Sequence, residues 1–283
     1  MHIIGFIGAG NIATAMMKGM LKGPYCDISR LSASDMDKSK LDKIEQDLGI
    51  HVFTNNTDLV KHCDVVFLAV KPHVMGDLLI EIKQYIASKI IISVVLGWSC
   101  QNIQSVLSSD ADTQIACIMP NTSSLVREGI TAILQDHTLS HDAYIFIHRL
   151  LSSIGRVTVI PENMLSSFVA VCGSGPAYIY MLIEALSDAA VKEGLSRSLA
   201  YEVIVQTVKG AAEMILETGE HPAVLKDAVC SPSGATIEAI TELEKNGFRS
   251  ALIQAVSASA AKTRDVSNRY ARIIKDDNAN HSA

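Results

Sequence analysis

The sequence predicts an α/β chain: a mostly parallel sheet covered by helices on both faces, followed by an all-helical domain. Three observations carry this. Strand-sized apolar runs recur through the first half with helical patterns between several of them. Those runs are apolar throughout rather than alternating. After Pro161 strand signals give way to long alanine-rich helices. Continuous apolarity is what burial of both strand faces demands.

Taken in order, the strand runs are Ile3–Gly8, Ile28–Ser34, Val52–Phe53, Val65–Val70, Ile90–Leu96, Thr113–Met119 and Ile130–Leu134. Helical patterns over Ile12–Leu21 and Lys38–Leu48 are the clearest of those between them. An antiparallel or mixed edge is expected toward residues 130–160. The later helices cover Ala177–Gly194, Leu199–Thr218, Gly234–Asn246 and Phe248–Arg264. Seven consecutive apolar residues, Ala177–Ile183, predict a helix start buried on every side. The expected division is residues 1–160, then 161–272, then a disordered polar tail over 273–283.

Composition narrows the function classes. The 283 residues carry 24 Lys+Arg against 30 Asp+Glu, a formal charge of −6. No basic face is available for nucleic acid, and aromatics, at 5%, offer few stacking platforms. Charged residues are 19%, against roughly 25% in ordinary soluble domains. No apolar run approaches the length of a membrane-spanning helix, so no membrane partner is expected. The N-terminal residues lack a signal peptide's basic start and cleavage site, which points to a cytoplasmic protein. Six scattered cysteines without C-x-x-C spacing read as reduced, and no metal site is expected. The apolar surplus in the helices after Pro161 is read as subunit interface, predicting a homodimer or higher homo-oligomer.

Chemistry enters with Gly8-Ala9-Gly10-Asn11-Ile12-Ala13, directly after the first strand and opening a helix. The first glycine permits a tight turn, the second lets backbone approach a pyrophosphate, and Ala13 allows close helix–strand packing. The phosphates then sit at a helix N-terminus beside Gly8, Gly10, Asn11 and Ile12, where free N–H groups favour anions. This makes the first domain a Rossmann-like dinucleotide-binding domain. At the end of the second strand, Asp35 is placed to hold a ribose 2′-hydroxyl. Ser34, with Lys38 and Lys40 nearby, is placed to cradle a 2′-phosphate. NADH and NADPH both stay open. Lys71 and Pro72 follow the strand Val65–Val70 and face the ligand crevice, as does Asn121 after Met119-Pro120.

Late in the chain, Ser231-Pro232-Ser233-Gly234 feeds a helix starting near Ala235. Small residues there leave several N–H donors clear, which suits a carboxylate; a simple helix cap uses the same residues. Glu184 and Asp188, spaced by one turn with Lys192 beyond, read as a solvated or ion-paired stripe.

The segments Gly5-Phe6-Ile7-Gly8-Ala9-Gly10-Asn11, Ala69-Val70-Lys71-Pro72, Met119-Pro120-Asn121-Thr122, Gly173-Ser174-Gly175-Pro176-Ala177-Tyr178 and Ser231-Pro232-Ser233-Gly234-Ala235-Thr236 resemble the motif series of pyrroline-5-carboxylate reductases. They follow that family's order and spacing nearly to Arg264. The resemblance implies reduction of 1-pyrroline-5-carboxylate to proline by NADPH or NADH, and a helical dimerisation domain. It also implies that Ser231, Gly234, Ala235 and Thr236 bind the substrate carboxylate, with the Thr236 hydroxyl, the catalytic candidate, near the imine nitrogen. Ser34 and Asn56 would lie at the adenosine end, and Ala69, Lys71 and Pro72 along the cofactor. The similar β-hydroxyacid dehydrogenases carry a catalytic Lys and then Asn at a glycine-rich junction. Tyr178 and Tyr180 stand in that stretch here, which argues against alcohol oxidation.

The chain departs from the family pattern at three places. Cys117 replaces a usual Arg, Ser123 a usual Pro, and Val169-Ala170-Val171-Cys172 a Thr-Gly-x-Ser pattern. These changes bear on an inter-element ion pair and on pocket shape. They keep two alternatives open: another imine or short-chain NAD(P)-dependent oxidoreductase, and a non-catalytic cofactor-binding regulatory paralogue.

Overall fold

The computed structural model describes residues 2–107 and 113–281, without the side chains of 272–281. The elements run β1 (Ile4–Ile7), α1 (Asn11–Leu21), β2 (Leu31–Ser34), α2 (Lys38–Leu48), β3 (His51–Phe53), α3 (Asn56–His62), β4 (Val65–Leu68), α4 (Met75–Ile82), β5 (Ile90–Ser93), α5 (Cys100–Leu107), β6 (Gln114–Met119), β7 (Gly129–Leu134), α6 (His141–Ser152) and β8 (Gly155–Ile160). There follow α7 (Leu165–Phe168), a π-helical turn Val169–Gly173, α8 (Gly175–Lys192), α9 (Arg197–Thr218), α10 (Pro222–Val229), α11 (Ala235–Lys245) and α12 (Phe248–His281). The chain forms two compact units, residues 1–173 with 259–283, and residues 174–258.

In the first unit one sheet runs β3-β2-β1-β4-β5-β6-β7-β8. It is parallel from β3 to β6, β7 pairs antiparallel to β6, and β8 pairs parallel to β7. The edge expected over 130–160 is therefore mixed. The period of two along each strand sends alternate side chains to opposite faces. Phe6, Phe67, Ile92 and Ala116 pack on one face with α1 and α6. Ile7, Leu68, Ile91 and Ile115 pack on the other with α3, α4 and α5. Phe6 and Phe67 stack with ring centroids 4.5 Å apart on the paired strands β1 and β4. Both faces are thus dry, which explains why the runs read as continuously apolar.

Several strands stop short of their apolar runs: β1 at Ile7, β4 at Leu68 and β5 at Ser93. The remaining residues, such as Ala69–Val70, leave the ladder and form the loops at its carboxyl edge. Those loops build the site. Order reverses between β2-β1 and β1-β4, so the switch point lies beyond β1 and β4.

In the second unit, α8 and α9 pack together and α10 and α11 follow. Ala200 is its only fully buried apolar residue. Burial of the Ala177–Ile183 helix start on every side is not observed: Ile179, Tyr180 and Met181 are 43%, 63% and 71% exposed. The reading that no segment has spanning length also needs correction. The helical stretch Glu162–Lys192 is long and apolar enough by length and composition. Counting uninterrupted apolar residues missed it, because Ser, Gly and Pro dilute the run without adding charge. Helix α12 extends to His281, through most of the stretch read as a tail. From Phe248 onward no Gly or Pro occurs, and a helix once nucleated gains a hydrogen bond with each added residue.

Candidate active site

At the switch point the chain turns from β1 into α1 through Gly8-Ala9-Gly10. Gly8 has φ +102°, a backbone conformation that side-chain-bearing residues rarely adopt, and a Cβ there would lie 2.5 Å from the Ala69 carbonyl oxygen. The loop after β4 therefore packs directly on the glycine turn. Gly10 is the N-cap of α1 with no side-chain cap, and a Cβ built on it meets nothing within 4 Å. The next residues, Asn11 and Ile12, carry the first N–H groups of α1, which have no intrahelical acceptor. A pyrophosphate fits such a cradle through backbone donors and the helix dipole.

The residues at the end of β2 are already engaged with one another. The Ala9 N–H donates to Asp35 Oδ2 at 2.8 Å, and the Asp37 N–H donates to Asp35 Oδ1 at 2.9 Å. Lys40 Nζ lies 3.7 Å from the same carboxylate. Asp35 thus ties the glycine loop to β2. The Gly8 N–H donates to the Ser34 carbonyl at 2.7 Å, fixing the other side of the turn. The Ser34 hydroxyl donates to Asn56 Oδ1 at 2.9 Å, and Asn56 Nδ2 donates to Glu81 Oε2 at 3.1 Å. Ser34 and Asn56 are brought together as expected; Glu81, on α4, had no signal in the sequence.

The loop Ala69–Pro72 follows β4. Lys71 is extended and caps a short helical turn over Pro72–Val74. The Trp98 indole N–H donates to the Pro72 carbonyl at 3.0 Å, linking the loop after β5 to the loop after β4. A lone tryptophan gave no hint of this. Asn121 donates to the Cys172 carbonyl at 3.1 Å and accepts from the Ile130 N–H at 3.3 Å. It is 9% exposed and ties β6 to β7 and to the π-helical turn.

In the other unit the four carboxylate-binding candidates fall on one turn. Ser233 is left-handed at φ +56°, and the Gly234 N–H donates to the Ser231 carbonyl at 3.1 Å. A Cβ on Gly234 would sit 2.2 Å from Ser231 Oγ, so a larger residue there would push the Ser231 hydroxyl aside. Gly234 caps α11 without a side-chain bond. The Ala235 and Thr236 N–H groups therefore open the helix with no intrahelical acceptor. On the same unit Asp188 pairs with Arg197, as the acidic-stripe reading expects. Among the described residues no cluster of three metal-ligating side chains exists.

Titration sets few groups apart. Burial pushes the Cys63 thiol up to about 12 and, with Asp27 nearby, Cys26 to about 11. Partial burial and the neighbouring Asp136 raise Glu162 above the usual carboxylate range.

A glycine turn at the switch point of a parallel sheet, followed by a helical unit rich in exposed apolar residues, defines a Rossmann-type dinucleotide-binding protein. Residues 3–97 match the family model described as NADP oxidoreductase coenzyme F420-dependent, and 162–266 that of pyrroline-5-carboxylate reductase dimerisation. The chain is 39% identical over 269 residues to pyrroline-5-carboxylate reductase 2 of Bos taurus, spanning 93% of this chain and 83% of that protein. It is 35% identical over 265 residues to the Escherichia coli pyrroline-5-carboxylate reductase, spanning 93% and 98%. The crystal structure of Plasmodium falciparum pyrroline carboxylate reductase with NADP bound superposes with a TM-score of 0.86 at 31% identity, covering 94% and 98%. This chain belongs to the pyrroline-5-carboxylate reductase family. It has the fold of an NAD(P)H-dependent oxidoreductase and the helical domain of a homo-oligomer.

Proposed function

We propose that this chain reduces 1-pyrroline-5-carboxylate to L-proline, the last step of proline synthesis, as a cytoplasmic homodimer or larger homo-oligomer. The observation that carries the reading is the Ser231–Thr236 turn. It keeps an uncapped helix N-terminus clear for a carboxylate, within a chain 35–39% identical to reductases of that name. All six cysteines are free, which suits a reducing compartment.

In this reading the N–H groups of Asn11 and Ile12 hold the cofactor pyrophosphate beside Gly8 and Gly10. Ser34 and Asn56 meet the adenosine end, where Asp35 orders the loop, and Ala69, Lys71 and Pro72 flank the cofactor. Bound NADPH or NADH supplies the hydride. The substrate's cyclic imine is protonated on nitrogen, and its carbon becomes electrophilic without a dedicated protein acid. Ser231, Gly234, Ala235 and Thr236 hold the carboxylate, and the Thr236 hydroxyl orients the imine nitrogen. The protein's contribution is alignment and exclusion of water.

Purified protein with 1-pyrroline-5-carboxylate and either NADPH or NADH should consume the reduced nicotinamide, followed by its absorbance. No turnover with either, in protein shown to bind one, overturns the reading. Thr236→Ala should lower kcat/KM by about 10- to 100-fold, the worth of one hydrogen bond to a charged group. Cofactor affinity should stay unchanged; equal loss of both would contradict the role given to Thr236.

A further inference from the structure

Two buried thiols meet behind the candidate cofactor loops. Cys100 opens α5 and Cys117 lies on β6, each 5% exposed, with their sulfurs 3.1 Å apart. The Cys100 thiol donates to Cys117 Sγ, and the Cys117 thiol donates to the Trp98 carbonyl at 3.4 Å. Trp98 in turn donates its indole N–H to the Pro72 carbonyl. The chain Cys117–Trp98–Pro72 therefore runs from the thiol pair to the loop that follows β4. Cys63 and Cys26 are also free and buried.

We propose that Cys100 and Cys117 form a reversible dithiol–disulfide pair whose oxidation by a peroxide loosens the Trp98–Pro72 link and weakens cofactor binding. A disulfide needs the sulfurs to close by about 1 Å, to roughly 2.05 Å. The Cys100 thiolate attacks one peroxide oxygen, giving a sulfenic acid and water. The Cys117 thiol then attacks that sulfur and expels a second water. Two thiols and one hydrogen peroxide become one disulfide and two waters, and a small dithiol restores both thiols by exchange. Once Cys100 loses its proton, the Cys117 thiol can turn from the Trp98 carbonyl and donate to the Cys100 thiolate, which holds Cys100 below the usual thiol range, whereas the contact with Cys100 and burial push Cys117 well above it. This makes Cys100 the attacking sulfur. Once Cys117 has no S–H, the Trp98 carbonyl loses that donor, and the loop carrying Trp98 is freer to shift away from Pro72.

The effect on the cofactor rests on the function proposed above; the cross-link itself does not. The full-length protein is treated with hydrogen peroxide, its remaining thiols are alkylated, and peptides are weighed. The peptides of Cys100 and Cys117 should be joined with loss of two hydrogens, and a dithiol should reverse this. Trp98 is the single tryptophan, so its fluorescence should fall on oxidation through quenching by the adjacent disulfide and recover on reduction. The KM for NADPH or NADH should rise by about fivefold or more, a coupling of ordinary size. Cys100→Ser and Cys117→Ser should each abolish all three changes, while Cys63→Ser keeps them. Both cysteines recovered as free thiols, or one over-oxidised without a cross-link, overturns the pair. A cross-link with unchanged fluorescence and KM overturns the link to the cofactor loop. A cross-link in protein that never turns over counts against the reductase reading and leaves the thiol pair standing.

Discussion

The two units bury their apolar residues in opposite ways. In residues 1–173 each strand sends alternate side chains into one of two closed clusters, and residues such as Phe6, Ile92 and Leu150 are fully hidden. In residues 174–258 helices of comparable apolarity leave Tyr180, Met181, Val229 and Ile253 between 63% and 71% exposed. The first unit completes its core within one chain. The second leaves apolar area exposed on the scale that marks a subunit contact. The match of residues 162–266 to a dimerisation domain accounts for it. The same match makes sense of the long apolar helix Glu162–Lys192, whose spanning-length window is hardly buried in the single chain.

The largest expected effect falls on that exposed face. Met181→Lys combined with Ile253→Lys should weaken self-association by about a hundredfold or more, because each charge would be desolvated without a partner. Sedimentation reads the outcome; an unchanged oligomer would show that the face lies elsewhere. In the closed core, Phe67→Ala should cost about 3–5 kcal/mol of folding stability, measured by denaturant unfolding. A loss below about 1 kcal/mol would mean the cluster is less tightly packed than its burial indicates.

Two glycines separate strain from function within the first unit. Gly8→Ala should destabilise by about 1–3 kcal/mol, from positive φ and the collision with the Ala69 carbonyl. Gly10→Ala should leave stability within about 0.5 kcal/mol, because its Cβ meets only open space. It should still lower dinucleotide affinity, read by titration calorimetry, by filling the anion cradle. Equal stability losses would contradict the geometry. The smallest effect concerns Asp37, which caps α2 by accepting from the Ser39 hydroxyl and N–H, bonds that hold its carboxyl below the ordinary 3.8. Its folded value lies below its unfolded one, so the charge stabilises above pH 3.8 and that gain disappears as acid takes pH through the lowered value. Asp37→Asn should therefore melt slightly lower at neutral pH and converge with the parent in acid.

Much of this was legible in the residues. The strand runs, α2 over Lys38–Leu48, and the Gly8–Gly10 turn follow from local rules: period, caps and positive φ act within a few residues. The Ser231–Thr236 turn was visible for the same reason, since the atoms nearest Gly234 belong to Ser231, three residues away. Asp35 shows where local reading ends. Its position after β2 predicts a ribose contact, whereas its two backbone partners, one the Ala9 N–H 26 residues earlier, could not be read from the chain.

The sequence by itself determined the class of fold, the glycine turn and the Ser231–Thr236 turn that opens α11, because each depends on short-range sterics and on periodicity. It also foresaw that apolar surface exceeded what one chain can cover. Only the tertiary structure decided which residues meet across long separations. Glu81 on Asn56, Trp98 on Pro72 and Cys100 on Cys117 come from strand order and helix packing, which join distant segments and leave no periodic trace in the chain. Burial was settled there too. Whether the Ala177–Ile183 helix start is hidden depends on what lies against it, and Tyr180 and Met181 stay 63% and 71% exposed.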